Sequence, residues 1–446
     1  MGDPVIRFMG HLLFSPANSR PRTRCQPRLG IPYLAGVLAA VFTLTGRWSF
    51  ERLQYGQDAF DAPELQVRNG ILLALVVITF FGAFRRRTTG VRRVHPPLLL
   101  PLCLVFFSYV SISALWAPEG ARTLSKVIDI GSLAALTFCV AFWTWRESTP
   151  AFQKAFWITF CGIVCVFIVM TIAGQGLTDS RRTAMLGGGP NTFGRNVALA
   201  FFGSLWLIRR KLGWYWVILT ILAPLMVLMS GSRGALSAFG CGLVVFLGTA
   251  QTKLWKRVTV TMTIASICGV LLVSSPLGER VGPIFEERIL RLTLVEHYTS
   301  DRPSIARTAF EMGLEHPVLG GGLAAFPVLA NDSYAHNIFL ETFSETGSVG
   351  LLTLVPIFIV FGLFLIRHWR RIDRATACAF VAAFTAAQFS GDLFDSRWVF
   401  TLIIMSSSVL VGPRAIIQAP GGQRSGLGYL KTKSRRIAIA AVSRST

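Results

Sequence analysis

The sequence predicts an all-α integral membrane protein that crosses the bilayer about twelve times. Hydrophobic residues make up 52% of its 446 residues and charged residues only 15%, whereas a soluble domain has about 25% charged residues. The apolar residues also form blocks of about 15–20 residues, the length that spans the hydrocarbon core of a bilayer. No internal repeat or low-complexity segment divides the chain, so we expect one transmembrane domain over residues 31–411.

The predicted spans alternate with short basic loops that give them an orientation. Cytoplasmic loops of membrane proteins carry an excess of lysine and arginine. With the N-terminus in the cytoplasm, every strongly basic segment falls on the cytoplasmic side: 1–30, 85–93, 209–211, 253–257, 367–371 and 412–446. The formal net charge of +22 therefore reflects membrane orientation. No fold or motif in the sequence supports nucleic-acid binding.

The same alternation predicts a long polar loop on the opposite face, over residues 275–350, together with the turns GPNTFGRN and SGSRG. The spans that produce this arrangement are predicted at about 31–44, 70–84, 97–116, 128–145, 155–173, a sixth ending at 208, 212–229, 235–249, a ninth ending at 274, 351–366, 375–389 and 398–411.

Residues 301–350 concentrate the polar chemistry of the loop, in the stretch DRPSIARTAFEMGLEHPVLGGGLAAFPVLANDSYAHNIFLETFSETGSVG. Ile305, Ala309 and Met312 recur at the spacing of one apolar helix face. This helix is expected to end at HPVLGGG, because the residue before a proline is disfavoured in the α conformation and glycines open other backbone conformations. A second helix is predicted from about Ala335.

Three arginines on the non-cytoplasmic side are candidate binding residues: Arg195, Arg233 and Arg302. An arginine near the bilayer is costly, so it either reaches the lipid headgroups or binds a ligand. The planar guanidinium binds phosphate oxygens through two parallel hydrogen bonds and stays charged. For Arg233 the alternative is a helix-end residue bound to lipid phosphate or a helix carbonyl. For Arg195 it is an ordinary turn before a helix.

His336 is the candidate catalytic residue. Imidazole titrates near neutrality and can take a proton from an attacking hydroxyl, although a lone histidine is more often structural. Asn337 and Glu341 could orient it or contact a substrate, with Glu341 turned away because it lies five positions further along. His316, which precedes a proline at a helix end, is interpreted as a C-terminal cap.

These segments resemble a known family. An arginine, then a helix ending in HPVLGGG, then AHNIFLETFSETGSVGLL, is similar to the polar loop of the O-antigen ligase and polymerase superfamily. GPNTFGRN and SGSRG are similar to two shorter motifs of these proteins. The resemblance implies a multi-pass glycosyltransferase of the bacterial inner membrane with its active site facing the periplasm. It further implies a catalytic His336, with substrate bound by Arg195, Arg233, Arg302, Asn337 and Glu341.

The resemblance also implies the reaction of an O-antigen ligase. This enzyme moves a glycan from undecaprenyl diphosphate to the lipid A core oligosaccharide. The diphosphate is a good leaving group, so arginines can stabilise its developing charge. The sequence shows no zinc-ligand set, P-loop or closely spaced acidic pair, so neither a metal nor another cofactor is expected. Direct attack would invert the anomeric carbon, whereas a covalent route would need a carboxylate such as Glu341 or Glu345.

Other functions remain open at this point. An O-antigen polymerase would use the same donor with a lipid-linked acceptor. A protein O-oligosaccharyltransferase is disfavoured, because no sizeable soluble region is expected after the last span. A transporter of lipid-linked glycan would bind the diphosphate through arginines without reaction, and it would tolerate the loss of His336.

Overall fold

The computed structural model describes residues 30–45, 67–84, 93–146, 149–173, 189–249, 302–330 and 334–410. Within these ranges the chain is α-helical apart from one short antiparallel pair of strands. The all-α prediction is therefore confirmed. The predicted ninth span, the first part of the polar loop and both basic tails lie outside the described residues.

The described elements follow one another in this order along the chain. Before the polar loop come α1 (Ile31–Leu44), α2 (Val67–Ala83), α3 (Leu99–Ile112), α4 (Thr123–Thr144), α5 (Thr149–Ile172), α6 (Pro190–Arg209), α7 (Trp216–Met229) and α8 (Arg233–Thr249). The loop contributes α9 (Arg302–Glu315) and α10 (Ala325–Leu329), and after it come α11 (Ile338–His368), α12 (Arg374–Ala386) and α13 (Arg397–Ser406). Strand β1 (Arg93–Val94) pairs with β2 (Val409–Leu410).

Several of these helices have the length and composition of membrane spans. In the described part of the chain, four are long and apolar enough to cross a membrane: Leu99–Trp116, Thr123–Thr144, Thr149–Ile172 and Ile338–His368. Helices α1, α2, α7, α8 and α12 are apolar but shorter. Each predicted span within the described residues overlaps a helix. The total of twelve crossings stays a prediction.

Helix α6 forms the centre of the bundle. Its side chains from Phe193 to Leu207 are buried on every face, and it packs against α5, α7, α8 and α12. Lipid tails are as apolar as leucine, so helices in a membrane associate through close packing, often at small residues. Gly203 shows this, because Trp157 of α5 occupies the space that a Cβ would need. The close approach keeps both ends of α6 fixed in the bundle.

Helix α11 is broken at Gly347, whose φ is +64°, and the loop occupies the break. The Ser348 amide donates to the Pro317 carbonyl at 2.9 Å, and the Gly322 amide donates to the Glu345 carbonyl at 2.8 Å. The HPVLGGG segment thus replaces helical hydrogen bonds that the break removes. It also fixes the end of α9 against α11.

The helix predicted within the loop from Arg302 is confirmed, and it ends at Glu315, directly before His316–Pro317. The predicted start of the second helix is wrong. It begins at Ile338, not near Ala335, because the Asn337 side chain caps it. His336 therefore lies in the turn before the helix.

Close helix contact makes a stability prediction at Gly36 of α1. A Cβ there would lie against the Phe152 carbonyl oxygen and 2.9 Å from the Ala155 Cβ of α5. We expect Gly36→Ala to lower the free energy of unfolding by about 1–3 kcal/mol, the usual cost of overpacking. Thermal unfolding in detergent measures this loss.

Gly162→Ala is the matched control, because no atom lies within 4 Å of a Cβ at Gly162. Alanine has the better helix propensity by about 1 kcal/mol, so this variant should unfold at the same temperature or higher. Equal losses in the two variants would contradict the tight contact between α1 and α5.

Candidate functional site

Arg233 stands at the first position of α8, directly after the turn SGS. The turn is held by its own serines: the Ala235 amide donates to the Ser232 Oγ at 3.2 Å, and the Ser232 amide donates to the Ser230 Oγ at 3.2 Å. Gly231 adopts the left-handed conformation with φ of +59°. A half-buried guanidinium therefore lies at a helix N-terminus, where the helix dipole also favours an anion.

Arg302 begins α9 and lies beside Arg233. Its Nη1 atom is 3.9 Å from the position that a Cβ on Gly234 would take. Burial and the neighbouring Arg233 cation lower the pKa of Arg302, while Tyr334 acts in the opposite direction. Arginine side chains stay protonated in proteins at neutral pH, so Arg302 carries its positive charge beside Arg233. Two adjacent guanidinium groups are suited to a ligand that carries more than one negative charge.

His336 lies in a strained turn between Tyr334 and α11. Its φ is +55°, a left-handed conformation that is uncommon for residues other than glycine. The rings of His336 and Tyr334 meet edge to face with centroids 4.5 Å apart. Tyr334 also lies near enough to Arg302 to raise the pKa of its guanidinium. His336 and Arg302 therefore share Tyr334 as a neighbour.

The turn that follows α12 holds His336 in place. The Asn337 side-chain oxygen accepts from the amides of Phe339 and Leu340 at 2.9 and 3.1 Å. Its side-chain nitrogen donates to the Gln388 Oε1 at 3.1 Å. The next residue of this turn, Phe389, has its Cβ 3.1 Å from the Cβ position of Gly234. One turn therefore contacts both the histidine segment and the start of α8.

Arg195 lies near the N-terminus of α6, which packs on the same SGSRGA turn. A Cβ at Gly194 would lie 2.5 Å from the Ser230 Oγ. The Arg195 side chain is only 5% exposed, and its Nη2 is 3.7 Å from the Asp395 Oδ1. The Arg195 Nε and Nη2 atoms have no hydrogen-bond partner within the described ranges. This arginine is thus close to the Arg233 turn but more deeply buried than Arg233 and Arg302.

Asp395 belongs to a buried cluster that contains two further arginines. Its Oδ1 accepts from the Arg397 Nη1 at 3.0 Å, and the Arg397 Nε donates to the Thr43 carbonyl at 3.0 Å. The Arg68 and Arg397 guanidinium groups lie 4.4 and 4.9 Å from the centre of the Phe394 ring. Arg68 also forms an ion pair with Asp129 of α4, at 2.7 Å. These contacts join α1, α2, α4, α6 and α13 at the end of the bundle where Arg195 lies.

Glu341 lies in the first turn of α11, where its amide donates to the Asn337 carbonyl at 2.9 Å. It is 4% exposed and lies close to Lys126, Asp392 and Glu345. Lys126 at the start of α4 forms an ion pair with Asp392. Glu341 thus belongs to a buried acidic and basic group on the bundle side of α11. No group of three or more metal-ligand side chains occurs in the described part of the chain.

The structure brings Arg195, Arg233, Arg302, His336 and Asn337 to one end of the bundle, where Glu341 also lies, buried beside Lys126 and Asp392. Sequence reasoning missed the part played by GDLFDSR, between α12 and α13, which supplies Asp392, Asp395 and Arg397. The signal was present, since charged residues rarely occur between two apolar spans without partners.

Comparison with known proteins supports the resemblance seen in the sequence. Residues 217–355 match the sequence model of the family described as O-antigen ligase. The matched segment contains Arg233, Arg302, His336 and Asn337, whereas Arg195 precedes it. A search of curated proteins finds none that matches the chain. Over residues 217–355 the chain is therefore similar to the O-antigen ligase family.

Proposed function

We propose that this protein is an O-antigen ligase, which transfers a glycan from undecaprenyl diphosphate to the lipid A core oligosaccharide. The observation that carries the proposal is the arrangement of Arg233, Arg302 and His336. All three lie in the matched segment, and Tyr334 lies against the His336 ring and near Arg302. The proposal places this end of the bundle in the periplasm of a twelve-span inner-membrane protein.

In the proposed reaction an acceptor sugar hydroxyl attacks the anomeric carbon of the donor. The new bond joins the acceptor oxygen to that carbon, and the bond between the carbon and the diphosphate oxygen breaks. His336 takes the hydroxyl proton. Arg233 and Arg302 stabilise the negative charge that develops on the departing undecaprenyl diphosphate. Attack from the face opposite the leaving group inverts the anomeric carbon.

Other residues of the site take supporting roles in this proposal. Arg195 extends the cationic surface from the arginine pair towards Asp395, where a phosphate oxygen could accept from its Nε and Nη2 atoms. Asn337 positions His336 through its bonds to α11 and to Gln388. Glu341 lies with Lys126 and Asp392, so we assign it no direct contact with the donor.

Reconstitution with purified lipid-linked glycan and lipid A core tests the proposal. A ligase forms glycosylated core and releases undecaprenyl diphosphate. A polymerase lengthens the lipid-linked glycan without added core, and a transporter moves the donor across vesicles without forming product. Because arginines stabilise the leaving group, transfer should continue in EDTA. A loss of transfer that magnesium restores would contradict that account.

Separate effects are expected from His336 and Arg302. His336→Ala should leave donor affinity near normal while transfer falls by about 10²–10⁴, the contribution of a positioned general base. Arg302→Ala should weaken donor binding as well. Arg302→Lys should recover only part of it, because lysine keeps the charge but lacks the planar guanidinium. The measurements are donor affinity and transfer rate for each variant in the same lipid.

Arg307→Ala on the same helix is the control. Arg307 is exposed and forms an i, i+4 ion pair with Glu311 at 2.7 Å, so its loss should change neither quantity. Unchanged transfer in His336→Ala would remove the histidine from the mechanism. Lost donor binding in that variant would make His336 a ligand-binding residue.

The bond between Asn337 and Gln388 predicts coupled effects on transfer. Asn337→Asp keeps an oxygen that can cap α11 but loses the donor to Gln388. Asn337→Ala loses both, and the lost cap alone costs about 0.5–2 kcal/mol. We expect transfer to fall more in Asn337→Ala than in Asn337→Asp, with donor affinity unchanged in both.

Gln388→Ala should lower transfer as Asn337→Asp does, and the double variant should lower it no further. Such non-additivity is the mark of two residues that act through one contact. Fully additive losses would contradict a positioning role for this hydrogen bond.

A further inference from the structure

Helix α9 and the residues after it carry a row of exposed apolar side chains. Phe310, Leu314, Val318 and Leu319 are 48%, 56%, 57% and 50% exposed. Phe310 and Leu314 lie four residues apart and share one side of α9, and Val318 and Leu319 follow shortly after the end of the helix at Glu315. We call these four residues the apolar edge. Such contiguous exposed apolar surface commonly marks an interaction site.

The other exposed side of α9 is polar. Ser304, Thr308, Glu311 and Glu315 are all exposed, and they alternate along the helix with the apolar edge. Between the two sides, Ala309 and Met312 are buried in the loop's own small core. The helix therefore has one face against the protein, one polar face, and one face on which Phe310 and Leu314 lie beside Arg307, whose charge pairs with Glu311. This division is typical of helices that lie in a membrane interface.

The position of the apolar edge indicates what covers it. The Trp116 Nε1 donates to the Leu319 carbonyl at 3.2 Å, and Trp116 is the last residue of a helix long and apolar enough to cross a membrane. Tryptophan is enriched where spans meet the membrane surface. At the other end of the edge, the Phe310 ring lies 5.9 Å from the Phe343 ring of α11. The edge therefore runs between the ends of two membrane-spanning helices.

We propose that the apolar edge inserts into the bilayer leaflet at this end of the spans, so that α9 lies along the membrane surface. Its polar side then faces water, and Arg302 at its start lies near the level of the lipid headgroups. The occupant of this surface is phospholipid hydrocarbon, since the edge runs from Trp116, at the end of one apolar span, to Phe343 near the start of another. The proposal concerns membrane contact alone and stands whether or not the chain is a ligase.

Photocrosslinking tests the insertion in the full chain reconstituted into vesicles of phosphatidylethanolamine and phosphatidylglycerol. The photoreactive residue benzoylphenylalanine replaces Leu314 or Val318 in the apolar edge, and Glu311 or Glu315 on the polar side as matched controls. All four positions are exposed, so the substitutions leave the packing intact. After irradiation, intact mass spectrometry counts the phospholipid adducts.

We expect at least about tenfold more phospholipid adduct at the two edge positions than at the two polar ones, as a helix half-immersed in the interface requires. Equal and low adduct yields at all four positions would overturn the proposal, because the edge would then face water. Crosslinks from Leu314 and Val318 to a second copy of the chain, in place of lipid, would also overturn it. Each outcome is read without any assay of glycan transfer.

Discussion

The backbone hydrogen bonds between HPVLGGG and the broken turn of α11 hold the polar loop to the membrane domain. A break at Gly347 leaves amide and carbonyl groups without helical partners, and near a bilayer each such group is costly. The Pro317 and Glu345 carbonyls accept from Ser348 and Gly322, so loop and helix satisfy each other. The site depends on this junction. It fixes the C-terminal end of α9, and thereby Arg302 at its other end.

A second constraint comes from charges that are buried together. Asp395 lies between Arg195 and Arg397, at 3.7 and 3.0 Å, in the segment that joins α12 to α13. The Arg195 and Arg397 side chains are 5% and 0% exposed, whereas that of Asp395 is 31% exposed, so this carboxylate offsets two buried positive charges. Asp392 of the same segment pairs with Lys126. The segment between α12 and α13 therefore contacts Arg195 through Asp395 and α4 through Asp392.

The positions and ends of helices that depend on the local order of apolar residues and prolines could be predicted from the sequence. Apolar blocks located the helices, and the proline after His316 located the end of α9. The arginine and histidine motifs lie at one end of the bundle, and their role in a site stays a prediction. The start of α11 was misplaced, because the apolar pattern does not show that Asn337 folds back as a cap. The partners of Arg397 were missed for another reason. Its contact with Thr43 joins positions 354 residues apart, and such a tertiary contact has no signal in one sequence.

The small sheet at the other end of the molecule has an electrostatic consequence. Pairing of Arg93–Val94 with Val409–Leu410 makes the arginine-rich segment 85–93 and the basic segment 412–446 start from one point on the bundle. Each lysine or arginine near an anionic membrane contributes about 1 kcal/mol of attraction. Four paired residues thereby make two basic stretches that are more than 300 positions apart in the sequence adjoin one small sheet.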